Sequence, residues 1–321
     1  MENKVLESKI KYCCTILIIA LFAAIIGKLL VAYVNAFTTR MRDSADIADE
    51  NFNEREVRNS VPEEQQSERT YGDLHEKIKK IVDQAEGTYG VAFTDCNTGI
   101  SFEINGDKPF TAASCYKLPL NLYLYYLISE GAINPDEKVA YIEDDYETGA
   151  GKIIFDEIGT EYTIGELSEL SVIESDNIAT NMLMRRLRRN NIINFMESIG
   201  AKALPRKSNV SSPNDMNMYM QKLLEMSADN PNVYNKLIFY LKNTKFNDRI
   251  SSVIPKGIEV AHKIGTLTGV LNDTAIVFHS RNPYILTIMS YNVNSSYGSE
   301  AYDTIKRISI EIFNHQESKT N

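Results

Sequence analysis

Three short groups of side chains in this sequence have the residue types that covalent catalysis by a serine needs. Ser114-Cys115-Tyr116-Lys117 sets a hydroxyl and an amine three residues apart. Ser175-Asp176-Asn177 adds a second hydroxyl and an amide, and Lys263-Ile264-Gly265-Thr266 puts a cation near another hydroxyl. The first pattern, S-x-x-K, is worthless alone: 24 Ser and 21 Lys give about 1.6 matches by chance, and Ser8-Lys9-Ile10-Lys11 is one of them. S-D-N is expected only about 0.1 times, so the weight rests on it and on the order of the three.

Thr111-Ala112-Ala113 precedes Ser114, and a helical pattern starts there, so Ser114 is expected at a helix N-terminus. Free N–H groups and the positive end of the helix dipole at that point favour an oxyanion. Lys117, three residues on, rises along the same face toward the Ser114 hydroxyl. Leu118, Leu120 and Leu122 imply burial, and desolvation lowers a lysine pKa until the amine can act as a base. Ser175, on a separate connection, can pass a proton to a leaving nitrogen. Asn177 offers both a donor and an acceptor to a substrate amide, and Lys263 with Thr266 suits a substrate carboxylate.

The elements that must hold these groups are legible in outline. Tyr89–Ala92 and Ile100–Ile104 read as a hairpin around Asp95, Asn97 and Gly99. Helical patterns follow over Tyr116–Glu130, Ile164–Leu170, Asn177–Arg188, Ile192–Ile199 and Met216–Met226. Strand patterns return at Glu259–Lys263, Thr274–His279 and Tyr284–Tyr291, and Tyr302–Phe313 closes as an amphipathic helix. Strands at both ends with helices between predict an α+β body. One antiparallel sheet would be assembled from the two chain ends, with the helical middle as an inserted lobe.

At these motifs the chain resembles the penicillin-recognising serine hydrolases, and among them the class A β-lactamases, over roughly Tyr89 to Phe313. Tyr146-Glu147-Thr148-Gly149-Ala150-Gly151 resembles the loop before S-D-N in that family, and Asn272-Asp273-Thr274-Ala275 resembles the strand after K-x-G. The resemblance implies a β-lactamase/transpeptidase-like fold: a five-stranded antiparallel sheet flanked by helices, with an all-helical lobe between strands two and three. It implies Ser114, Lys117 and Ser175 as catalytic residues. Asn177, Lys263, Gly265, Thr266 and Leu267 would bind substrate, with an oxyanion hole from the N–H groups of Ser114 and Leu267. The implied activity is a β-lactamase-type acyl-enzyme reaction on β-lactams or D-Ala-D-Ala-like peptides. A D,D-peptidase or low-turnover penicillin-binding protein, and a membrane-anchored β-lactam sensor, are alternatives built on the same residues. Ile264 departs from the Thr common in the family's K-x-G motif.

A second departure weighs more. Class A enzymes carry a loop after S-D-N whose Glu activates the deacylating water. Between Asn177 and Pro213 the acid present is Glu197, inside a helical pattern ending at Gly200. Asp215 reads as a first-turn acid of the next helix. Acylation machinery is therefore expected to be intact and deacylation slow.

Upstream of this body, residues 12–34 form an apolar run broken by Lys28, and about 20 apolar residues suffice to cross a bilayer. With Lys4, Lys9 and Lys11 before it, the run predicts a single transmembrane anchor, a short cytoplasmic head over 1–11 and an extracytoplasmic body. A cleaved leader ending near Val34-Asn35-Ala36 is the competing reading. Residues 35–70 read as an acidic tether. From Asp43 to Thr70, Asp43, Asp46, Asp49, Glu50, Glu54, Glu56, Glu63, Glu64 and Glu68 stand against Arg55, Arg58 and Arg69, with little apolar residue to bury. The body is expected over 71–316, with a tail over 317–321.

The remaining composition excludes more than it suggests. A net charge of −9 argues against nucleic acid as a partner. Four cysteines, two of them in the apolar run, make no disulfide scaffold. His262 beside Lys263 reads as a strand residue, and His75, His279 and His315 lack partners at motif spacing, so no metal site or Ser-His-Asp arrangement is expected and no cofactor is called for. Arg185, Arg186, Arg188 and Arg189 read as a solvated basic face that could meet an anionic wall polymer.

Overall fold

The computed structural model describes residues 63–206 and 208–319. Helix α1, Glu63–Gln84, leads into strands β1, Thr88–Asp95, and β2, Ser101–Ile104, with a short β3 at Phe110–Thr111. The lobe follows: α2 Lys117–Ser129, β4 Lys138–Ala140, β5 Glu161–Thr163, α3 Ile164–Ile173, α4 Asn177–Leu187 and α5 Arg189–Ser198. A short β6, Val210–Ser211, then gives way to α6, Pro213–Asp229, and α7, Pro231–Lys242. Strands β7, Val260–Leu267, β8, Val270–Val277, and β9, Tyr284–Tyr291, return to the sheet, and α8, Glu300–Ser318, ends the fold.

The main sheet has five strands in the order β2-β1-β9-β8-β7, every neighbouring pair antiparallel. The chain's first and last strands meet at its centre, where Thr88 pairs with Tyr291 and Asp95 with Tyr284. The antiparallel sheet from the two chain ends and the inserted helical lobe are as expected.

Alternation along the strands splits the core into two layers. Val277, Leu286 and Ile288 face α1 and α8, which present Leu74, Ile78 and Ile305, Ile308, Ile312 at helical spacing. Ile276, Ile285 and Met289 face the lobe, meeting Tyr219, Met220 and Leu223 of α6 and Leu237 and Leu241 of α7. All eight residues of β8 are buried, as a central strand covered on both faces requires.

At the end of β1 the Asp95 carboxylate accepts from Tyr71 Oη, from Gln316 Nε2 at 3.0 Å and from Lys319 Nζ at 3.0 Å. Burial alone would raise its pKa; the donors around it hold it well below the usual carboxylate range, so it stays charged and clasps both outer helices.

The fold departs from the sequence reading in three places. α1 begins at Glu63, within the stretch expected as tether. Helix α7 has no counterpart among the expected elements; its Pro231 and Asn232 look like loop residues, but Pro fits the first turn of a helix. The lobe also carries the β4–β5 ribbon, so it is not wholly helical. Among the described residues no helix is long and apolar enough to cross a membrane, and the apolar run at 12–34 lies outside them.

Candidate active site

Ser114 lies in a single 3₁₀ turn, Ala113–Tyr116, that runs directly into α2, so the expected helix start is a tighter turn at this point. Ala113 just before it takes a left-handed φ of 49°. A residue with a Cβ pays about 1–2 kcal/mol for that conformation, and it persists only where neighbours over-determine it. Asn272 of β8 supplies part of that hold: its Nδ2 donates to Thr111 O at 2.8 Å and Ala112 O at 3.1 Å, and its Oδ1 accepts from Ser290 N at 2.9 Å.

The Lys117 side chain is buried beneath this turn. Its Nζ donates to the Ser175 carbonyl, to Asn177 Oδ1 at 2.7 Å and to Ser175 Oγ at 3.3 Å. Burial lowers its pKa to about 7, helped by the like charge of Lys263 and opposed by Asp176 and Glu147. Near neutrality a large fraction of Lys117 is therefore an unprotonated amine, the state a general base requires.

Ser175 is itself left-handed, φ 54°, in the turn between α3 and α4. Its Oγ accepts from Lys263 Nζ at 3.0 Å as well as facing Lys117, so one hydroxyl joins two amines. Asp176 builds the platform under it. One carboxylate oxygen caps α4 by accepting from Ala179 N at 2.8 Å; the other takes Lys152 N at 2.6 Å and Ile153 N at 3.0 Å. The loop of residues 146–151 is thereby pressed onto the S-D-N turn. Gly151, φ 128°, is needed there because a Cβ would run into Asp176.

On β7, Lys263 is fully buried and its pKa falls to about 8, burial outweighing the pull of Cys115 and Asp273. Gly265 lets the strand pass against the serine turn: a Cβ there would stand 2.5 Å from Ala112 O and 3.1 Å from Cys115 N. Thr266 and Leu267 end the strand exposed. A cleft of about 440 Å³ is lined by Ser114, Lys117, Asn177, Thr266 and Leu267, with Glu147 the acid among its lining residues. All eight expected residues thus gather; Ser175, Lys263 and Gly265 stand behind those that line the cleft.

The two acids weighed as a hydrolytic base are committed elsewhere. Glu197 pairs with Arg206 at 2.6 Å on the surface. Asp215 sits in the first turn of α6, and its two oxygens accept from Lys202 N at 3.0 Å and Ala203 N at 2.7 Å.

Two further residues around the serine turn have no signature in the sequence. Arg249 is 1% exposed and donates to Gly265 O at 3.2 Å, Asn272 O at 2.7 Å and Thr266 Oγ1 at 2.5 Å, fixing the end of β7. Asn209 lines the cleft from the segment before β6. Both act through backbone carbonyls distant in sequence, and no spacing rule reports such contacts. The basic cluster is an exposed face, as read, but a partnered one: Arg185 forks onto Asp145 at 2.8 Å and Arg186 onto Glu137 at 2.5 Å, while Arg189 donates to Pro205 O at 2.9 Å. His262 meets Asp273 at 3.0 Å and Asn247 at 2.9 Å, and His279 meets Glu317 at 2.6 Å, partners invisible at motif spacing. Among the described residues no cluster of metal-ligating side chains occurs. Cys115 is a buried free thiol whose Sγ lies 3.2 Å from Lys263 O, and burial pushes its pKa up to about 12.

Residues 73–316 match the model of the beta-lactamase enzyme family. Among curated relatives, beta-lactamase SME-1 of Serratia marcescens is 27% identical over 232 residues, 66% of this chain and 79% of its own. Beta-lactamase CARB-4 of Pseudomonas aeruginosa is 23% identical over 257 residues, 74% and 88% of the two chains. Among solved structures, a single-residue mutant of PBP-A, caught as an acyl-enzyme complex with penicillin G, superposes with a TM-score of 0.72 at 24% identity, covering 77% of this chain and 97% of that one. An ancestral class A beta-lactamase gives 0.67 at 23% identity, covering 75% and 99%.

Proposed function

Because the chain belongs to the beta-lactamase enzyme family and is a class A-like serine enzyme, we propose that it opens the amide of β-lactams through an acyl-enzyme on Ser114 and deacylates slowly. The observation that carries this reading is the bridge from Lys117 through Ser175 Oγ to Lys263 behind a cleft lined by Ser114. Neutral Lys117 takes the proton from Ser114 Oγ as the oxygen attacks the lactam carbonyl carbon. The negative charge on the carbonyl oxygen is held by the N–H groups of Ser114 and Leu267. When the C–N bond breaks, the proton passes by way of Ser175 Oγ to the leaving nitrogen. Asn177 binds the substrate's amide side chain, and Thr266 on the cleft wall, with the Lys263 cation behind it, takes its carboxylate. The penicillin G adduct of the structural neighbour and the names of the curated relatives support β-lactams as the substrate class.

Slow deacylation is supported by where the acids stand. General-base help to an attacking water is worth about 10²–10⁴-fold; Glu197 and Asp215 are spent on Arg206 and on two backbone N–H groups, and Glu147, the acid at the cleft, accepts from Asn181 Nδ2 at 2.8 Å. A chromogenic cephalosporin is expected to give a stoichiometric burst and then slow turnover, with an adduct persisting in the mass spectrum. Rapid turnover without a burst would refute slow deacylation.

The anchor over 12–34, a tether over 35–62 and an external catalytic body starting at Glu63 complete the proposal, supported by the apolar run and the acidic stretch after it. Protease added to intact cells is expected to release a body starting within about residues 43–62, before α1, because exposed polar segments are where nicking concentrates. Cleavage only after lysis would reverse the orientation.

A further inference from the structure

We propose that Asn209 aims the oxyanion hole, acting on the Ser114 N–H through the opposite end of the same peptide group. The inference rests on Ser114 being the acylated serine. Asn209 Nδ2 donates to Ala113 O at 3.1 Å, and Asn209 O accepts from Ala112 N at 3.0 Å. Ala113 O and Ser114 N belong to one planar trans peptide, so the C=O and N–H point in opposite directions and turn together. Fixing the carbonyl fixes the direction of the N–H that must meet the substrate oxygen. The need for such a fix is local. Ala113 is held at φ 49°, a conformation its Cβ disfavours, and Asn209 adds a side-chain hold to a carbonyl that otherwise closes only the 3₁₀ turn. Asn272 holds the carbonyls of Thr111 and Ala112 but not that of Ala113, so Asn209 completes a run of three.

The donor also polarises the peptide. A hydrogen bond into a carbonyl draws charge through the amide and makes its N–H a stronger donor, as in other hydrogen-bonded chains. Asn209 is therefore a positioning residue of the reaction. It belongs to the segment between α5 and β6, the stretch where the family resemblance would place a Glu-bearing loop. Here that segment contributes to the acylation half of the cycle.

The test is the acyl carbonyl band of the penicillin adduct, read by infrared difference spectroscopy in the full chain, together with the acylation rate. Removing an oxyanion donor outright costs about 10²–10³-fold; a donor left in place but mis-aimed should cost less, about 10-fold. Asn209→Ala, and the isosteric Asn209→Asp, which cannot donate to Ala113 O, are expected to slow acylation by that factor. Both should shift the acyl carbonyl band to higher frequency, the sign of weaker hydrogen bonding. The Ala112–Asn209 backbone bond survives both substitutions, so melting temperatures should stay close to wild type. A loss of packing alone would lower the melting temperature and leave the band in place. A wild-type adduct with an unmoved band and near-native acylation in whichever variant folds overturns the role of Asn209 alone. A wild-type protein that gives no adduct overturns the reading of Ser114, and this inference with it.

Discussion

Ser114→Ala is expected to give no penicillin adduct in the mass spectrum and to lose on the order of 10⁴-fold or more in lactam opening, since the covalent route is gone. The fold should survive. The 3₁₀ turn is held by backbone contacts, by Asn272 and by Gly265 packing against it, and the serine hydroxyl caps nothing there. The neighbouring nucleophiles cannot substitute. Cys115 is buried with its thiol pKa near 12, and Ser175 Oγ is held between two amines. An adduct that persists in Ser114→Ala and maps to Cys115 or Ser175 would sink the assignment of the nucleophile.

Lys117→Ala should slow acylation by about 10²–10⁴-fold, the usual worth of a positioned base. The pH profile carries more information than the loss. With Lys117 lowered to about 7, its base form is depleted below neutrality, so the wild-type acylation rate should fall as pH drops below about 7. Lys263, lowered to about 8, must be charged to hold a carboxylate, so acylation efficiency should fall again above about 8. The two amines share Ser175 Oγ, so the limbs of this bell belong to the pair rather than to either residue. Lys117→Ala should lose the acidic limb and retain the alkaline one. A profile flat from pH 6 to 9 in the wild type would rule out a neutral lysine base.

How much of this was legible depended on how local each signal is. S-x-x-K, S-D-N and K-x-G put chemistry within four residues, and the elements around them follow from apolar spacing, so the sheet from two chain ends and six of the clustered residues could be read directly, while Gly265 and Leu267 came from the family resemblance. The left-handed backbone at Ala113 and Ser175 could not, because neither is Gly or Asn and their φ values are imposed by distant partners. Arg249 and Asn209 were hidden for the same reason. Each speaks to main-chain carbonyls on other elements, and any residue type supplies a carbonyl. The arginines of α4 and α5 lie on an exposed face as their run of like charge suggests, but their partners Asp145 and Glu137 come from loops before them and could not be read from it.

The central pairing of β1 with β9 also governs how the enzyme is made. Strand β1 leaves the ribosome with only β2 to bond, and its other edge stays unpaired until nearly the whole chain has been synthesised. Contacts of such sequence separation make folding slow and leave a strand edge open to other chains meanwhile. The nucleophile's turn is in the same position, since Asn272 and Gly265, which shape it, are translated long after Ser114. An incomplete chain therefore carries the serine and the first lysine but no reactive site, so acylating power appears only as folding finishes. A nonsense change anywhere before β9 should yield an inert, aggregation-prone fragment rather than a weakened enzyme.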